Sequence, residues 1–413
     1  MRVSLAVRKS LQSSLIAFAS ASCLLLAAPQ AVYAKEKSEI SNKVGKPLKE
    51  AQQLITSKNF KDALAKVKEV DAMPGKNAAE EQIVNDMYAV IYSQTKDFPS
   101  LLAHYETMMN KNQFAPDVKK TRIKEMSQGY LYIKNYPKAL TYSEMYLKEV
   151  GPDAAISMQI AQIYMVQKDN AKAADYAGKH IKAAAAAGKP ASEDWYKVWK
   201  SAIHQQNKIP EYTDALEQTL AAYPTADYWA EMINYVNKES TFNDRQSLIQ
   251  MRLIDAAGLA TEKTYIAMAE LSLAAANPGD AKAALEKGMA KGLIKGEREK
   301  KLLAKATADA AGEVALLASI EKQAAAAANG EALVKVGEGY LGQSQFDKAI
   351  ELISKGLTKG GVSFKDEATL NLGIAYLGAK KQADAIKAFK SVPASSKVAR
   401  LSRLWAIQSA KTK

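Results

Sequence analysis

A single cysteine, Cys23, and three histidines, His104, His180 and His204, are all that 413 residues offer of the side chains suited to soft metals and nucleophilic chemistry. Beyond residue 34 there is no cysteine, which excludes disulfides, thiolate metal sites and a thiol nucleophile there. The histidines stand in separate segments without a His-Glu-x-x-His pair, and no Gly-x-Ser-x-Gly elbow occurs. Neither a zinc-hydrolase nor a serine-hydrolase centre has the residues it needs. Runs of alternating β-branched residues are missing, which speaks against a sheet-built fold. After residue 34 no apolar run approaches the ~20 residues of a membrane span, and no basic-aromatic strip marks a nucleic-acid surface. Gly337-Glu338-Gly339-Tyr340-Leu341-Gly342 has dinucleotide spacing, but that motif requires a strand before it. The chain is therefore expected to be non-catalytic, with no cofactor and no metal.

What is present begins with an export pattern. Arg2, Arg8 and Lys9 form a basic start, Leu15 to Ala28 is uncharged and apolar, and Val32-Tyr33-Ala34 supplies small residues for cleavage. Residues 1–34 thus read as a signal peptide that carries Cys23 away, and 35–43 as a short polar segment. An exported chain without disulfides suits a bacterial periplasm, with secretion or peripheral attachment to the envelope as alternatives. Removing the basic start lowers the net charge from +13 to +10, mostly lysine spread along the chain. That charge favours solubility and attraction to acidic partners.

Ala, Lys, Leu, Glu and Gln dominate the rest, all strong helix formers, and Pro74, Pro99, Pro116, Pro152, Pro190, Pro210, Pro224, Pro278 and Pro393 punctuate it. Short helices joined by short turns follow. The helices repeat. Tyr130 with Ala139 is echoed by Tyr164 with Ala173, both 34 residues on, and Trp195 and Trp229 are again 34 apart. Near the C-terminus Leu372-Gly373, Tyr376, Ala385 and Phe389 follow one template, and Val336-Gly337, Tyr340, Phe346 and Ala349 anticipate it by 36. A fixed period of this length signals stacked supersecondary units.

On these residues the chain resembles the tetratricopeptide repeat family, over most of 44–393. The resemblance implies an all-α, right-handed superhelical solenoid of antiparallel helical hairpins. The expected layout is a repeat block over 44–294, a divergent Ala-rich helical hairpin over 295–330, two repeats over 331–393 and a capping helix with tail over 394–413. Alanines such as Ala139 and Ala385 then let the second helix of a hairpin approach the first, and the tyrosines fill the space between hairpins. Each such aromatic contributes about 1.5 to 3 kcal/mol by burial.

In similar proteins the inner residues of the first helix line a groove. Projected by helix periodicity, those are Lys124, Gln128 and Tyr132, then Gln162 and Met165, then Tyr196, Lys200 and His204. Lys124 matches a lysine of family members that clamp a C-terminal carboxylate; Gln128 stands where they have asparagine. The implied function is a periplasmic scaffold that holds an envelope protein or extended peptide, with no nucleic acid and no membrane span after signal cleavage. A small-molecule or glycan-binding groove near Trp195 and Trp229 is the alternative, and an enzyme assembled across repeats a third.

Overall fold

The structure is a computed structural model and describes residues 40–239 and 241–411. The expected signal peptide and most of the polar segment after it lie outside the described residues. By internal packing the chain divides into two units, one ending at Ile209 and the other beginning at Pro210. All regular structure among the described residues is helical.

Unit 1 contains α1 (Asn42–Thr56), α2 (Phe60–Asp71), α3 (Ala78–Gln94), α4 (Phe98–Asn110), α5 (Pro116–Tyr132), α6 (Tyr136–Glu149), α7 (Ala154–Val166), α8 (Asn170–Ala186) and α9 (Glu193–His204). Each helix packs on its neighbour in the chain, and α1 also meets α3, as α7 meets α9. The turn that makes each hairpin has one chemistry. Lys58, Lys96, Lys134 and Lys168 adopt left-handed backbone with φ of 61°, 58°, 59° and 60°. The next residue, Asn59, Asp97, Asn135 or Asp169, sends its N–H back to the carbonyl of Leu54, Tyr92, Tyr130 or Tyr164. This is the Schellman closure of the first helix. The same Asp97, Asn135 and Asp169 side chains then accept from Ser100, Lys138 and Lys172 N–H and cap the second helix. One dipeptide thus ends one helix and begins the next.

Between the helices, the small residues do what their spacing predicts. Ala63, Ala139 and Ala173 are fully buried. Tyr130 stacks on Tyr142 with centroids 5.5 Å apart and lies in a core with Leu102, Tyr105, Met126 and Ile163.

Unit 2 contains α10 (Ile209–Ala222), α11 (Ala226–Glu239), α12 (Asp244–Ala256), α13 (Glu262–Ala274), α14 (Pro278–Ala290), α15 (Glu297–Ala326), α16 (Glu331–Gly342), α17 (Phe346–Lys359), α18 (Lys365–Gly378), α19 (Gln382–Lys390) and α20 (Ala399–Lys411). The hairpin turns recur at Ala276, Ser344 and Lys380, each with positive φ. At Gly373 an added Cβ would lie 2.3 Å from the Phe389 ring, so only glycine lets α19 seat this closely on α18.

One expectation is corrected. Within 295–330, where a hairpin was expected, Glu297–Ala326 forms one 30-residue helix, α15. The physical reason is visible in the sequence: nothing between Glu297 and Ala326 supplies a proline or a left-handed turn, and Gly312 sits in open space without breaking the helix.

Unit 2 also joins residues far apart in sequence. Arg400 and Arg403 of α20 both bind Glu217 of α10, at 2.9 Å from Arg400 Nη1 and 2.9 Å from Arg403 Nη2, and Arg400 reaches Asp214 at 3.0 Å. Gln408 donates to the Ala256 carbonyl at 2.6 Å. On α12, Gln246 donates to Glu367 at 2.7 Å and Arg252 to Asn371 at 3.1 Å, both on α18. The last helices of this unit therefore return to its first ones.

Candidate functional site

In unit 1, α5 presents an accessible face. Its buried side carries Ile123, Met126, Ser127, Tyr130 and Leu131. The opposite side, three and four residues apart along the helix, carries Val118, Thr121, Lys124, Glu125, Gln128 and Tyr132, none of them buried. Val118 is 42% and Tyr132 38% exposed, high values for large apolar side chains. Tyr132 meets Phe98 edge-on at 5.0 Å. Lys124 Nζ donates to Asp153 at 2.7 Å and lies 5.3 Å from the Tyr146 ring centroid. The hydrogen bond to Asp153 raises the lysine's affinity for its proton, and the same bond from Lys124 lowers that of the aspartate. Asp153 in turn caps α7 through Ala155 and Ile156 N–H. The lysine is thereby held on a face that carries Val118 and Tyr132 among polar side chains.

The other projected groove residues lie elsewhere. Gln162 is 5% and Met165 8% exposed on α7; Tyr196 and Lys200 are 6% exposed on α9; His204 is exposed in the last turn of α9. The structure thus gathers Lys124, Gln128 and Tyr132 on one accessible face and buries four of the remaining five. On α7, Ile156, Ile160, Ala161 and Ile163 are also at most 1% exposed: neighbouring helices cover most of its circumference, whereas projection from Tyr164 assumes a face left open.

A feature that spacing did not reveal lies beneath α5. Ser127 and Ser143 hydroxyls are 3.1 Å apart, and Gln159 Nε2 donates to both, at 2.8 and 3.0 Å. The network satisfies buried polar groups where three helices meet. Two histidines serve packing: His104 contacts the Asn85 carbonyl at 3.0 Å, and His180 stacks on Trp195 at 4.1 Å. Burial pushes both imidazoles toward the neutral form. Among the described residues no group of His, Cys, Asp or Glu could hold a metal ion, and no helix is long and apolar enough to cross a membrane.

Unit 2 holds a cavity of about 750 Å3, bordered by α12, α15, α16, the end of α13 and Asn371 of α18. Its cations are already partnered. Arg245 binds both Glu338 oxygens at 2.5 Å and lies 3.8 Å from the centroid of the Phe364 ring; Arg252 binds Asp280 at 2.8 Å; Lys335 binds Glu331 at 2.9 Å. Glu313 differs. Its Oε2 accepts from Gly279 N–H at 3.0 Å and Gln343 Nε2 at 2.5 Å, with no cation beside it among the described residues. Burial, with a smaller contribution from Asp280, raises its carboxyl above the ordinary range despite those bonds.

No family model matches the chain, and no curated protein matches it significantly. Similar solved structures include the TPR2AB domain of yeast Sti1 in complex with pHSP90, with 10% identity over 71% of this chain and all of that one, TM-score 0.25. Naa15/Naa10 bound to HypK-THB shares 13% identity over 95% of this chain and 63% of that one, TM-score 0.31. The anaphase-promoting-complex tetramer Cut9-Hcn1 shares 11% over 86% of this chain and 65% of that one, TM-score 0.21. At such scores the likenesses carry no argument about this chain. The description of the fold as a tetratricopeptide-like array of helical hairpins rests on its own helices, turns and buried alanines.

Proposed function

We propose that the chain is a non-catalytic scaffold that holds a partner polypeptide against the exposed face of α5. The observation that carries this reading is the strip of Val118, Lys124, Gln128 and Tyr132, in which exposed apolar groups stand beside a fixed cation and an amide. Such a strip suits an extended peptide: the amide serves main-chain groups and the apolar residues serve side chains, while Lys124 stays paired with Asp153. The export pattern of residues 1–34 and the excess of lysine support an acidic protein of the bacterial envelope as the partner, met in the periplasm.

A photo-crosslinking residue at position 128 or 132, in cells, tests it. Adducts with a discrete protein are expected there, and none from position 179, whose lysine is 72% exposed at the side chain on α8. Tyr132→Ala should abolish the adduct formed from position 128. Equal adducts from 179, or none from 128 and 132, overturn the proposal.

A further inference from the structure

The cavity of unit 2 has a wall that internal packing does not explain. On α15, Leu317 is 6% exposed and fits so tightly on α16 that a Cβ at Gly339 would lie 2.7 Å from it. Its neighbour Leu316 lines the cavity while 58% exposed, the most exposed large apolar side chain among the described residues. Leu248, Leu271 and Ile320 add to the same apolar lining. A volume of about 750 Å3 falls within the ~300–1,000 Å3 of ligand sites, which pair an apolar wall with a few placed polar groups.

The polar groups set the sign of the charge. Arg245, Arg252 and Lys335 are each committed to a carboxylate. Glu313, 6% exposed, and Asp244 at the start of α12 also line the cavity and have no cationic partner among the described residues. A carboxylate or phosphate ligand would have to displace an existing ion pair. An ammonium group would supply a charge that the site lacks.

We propose that this cavity binds an amphipathic amine, its alkyl part against Leu316 and its ammonium toward Glu313. The cavity is built from residues of unit 2, and the α5 face from residues of unit 1.

Titration calorimetry of the full chain with octylamine, octanol and octanoate at neutral pH tests it. Octylamine is expected to bind about tenfold more tightly than either analogue, the effect of one charge-assisted hydrogen bond. Glu313→Gln should bring octylamine down to the affinity of octanol. Leu316→Lys, at an exposed position, should weaken octylamine about tenfold or more, from lost apolar contact and charge repulsion, while leaving the thermal transition in place. No binding of octylamine, equal binding of the three, preference for octanoate, or an affinity unchanged in Glu313→Gln each overturns the proposal. So does a concentration-dependent dimer that protects Leu316.

Discussion

In unit 1 the polar bonds between helices reach about one repeat along the chain: Glu80 to Ser41, Glu106 to Lys138, Ser127 to Gln159. In unit 2, Arg245 reaches Glu338, Gln246 reaches Glu367 and Arg403 reaches Glu217, across 93, 121 and 186 residues. The hairpin and its turn are the same in both. The difference lies in what the first helices face. In an array with neighbour contacts only, stability is a sum of local terms and the inner face stays available. Where the last helix returns to the first, that face is enclosed, and a change at one end is felt at the other. The same building block thus yields an open strip on α5 in one unit and a lined cavity in the other.

The largest effect expected from breaking this contrast is at Trp405. It is 3% exposed and stacks on Phe389 at 5.7 Å, at the core of the returning helix α20. Trp405→Ala should cost about 3 to 5 kcal/mol. If unit 2 is held by closure, hydrogen exchange should lose protection in α12 and α18 as well as in α19 and α20, while α5 and α6 keep theirs. Loss confined to α19 and α20 would show that unit 2 behaves as a linear array.

A smaller effect isolates the polar clasp. The Glu217 side chain is 13% exposed, and the side chains of its partners Arg400 and Arg403 are 23% and 47% exposed. Glu217→Ala should destabilise unit 2 by about 1 to 2 kcal/mol, a charged hydrogen-bond loss discounted for the exposure of the arginines. The pair Lys119–Glu149 in unit 1, with side chains 33% and 39% exposed, is the control; Lys119→Ala should cost under about 1 kcal/mol. Denaturant melts in low and high salt check both, since screening should shrink the first difference. Equal costs would remove the clasp from the account of unit 2.

The contrast between the units shows what sequence spacing carries. Tyr130, Ala139, Tyr340 and Ala349 recur because each helical pair needs a small residue at its crossing and a large one beside it, which is local chemistry. Lys124, Gln128 and Tyr132 are legible as one face because residues four apart share one side of a helix. Gln162 and Lys200 were not legible as buried, because burial depends on which helices cover α7 and α9. Closure of unit 2 left no local trace at all: Asp214 and Glu217 on one helix and Arg400 and Arg403 on another look like ordinary solvated charges until the chain brings them together. The turns themselves carry a local signal. Lys58-Asn59, Lys96-Asp97, Lys134-Asn135 and Lys168-Asp169 mark the hairpin turns of unit 1 more regularly than the aromatics do.

Those turns supply the finest test. Lys168 is exposed with φ 60°, and Ala276 occupies the equivalent turn of unit 2 with φ 55°. A left-handed non-glycine residue costs about 1 to 2 kcal/mol, and glycine returns about 0.5 to 1 kcal/mol of that through its unfolded-state entropy. Lys168→Gly and Ala276→Gly should therefore each stabilise by about 0.5 kcal/mol. Their reach should differ. In a neighbour-coupled array the Lys168→Gly gain slows exchange in α7 and α8 and fades beyond them. In a closed unit the Ala276→Gly gain is shared, so α12 and α20 should slow together with α13 and α14. A gain confined to the mutated hairpin in both units would mean that the long-range bonds of unit 2 fix its geometry without coupling its stability.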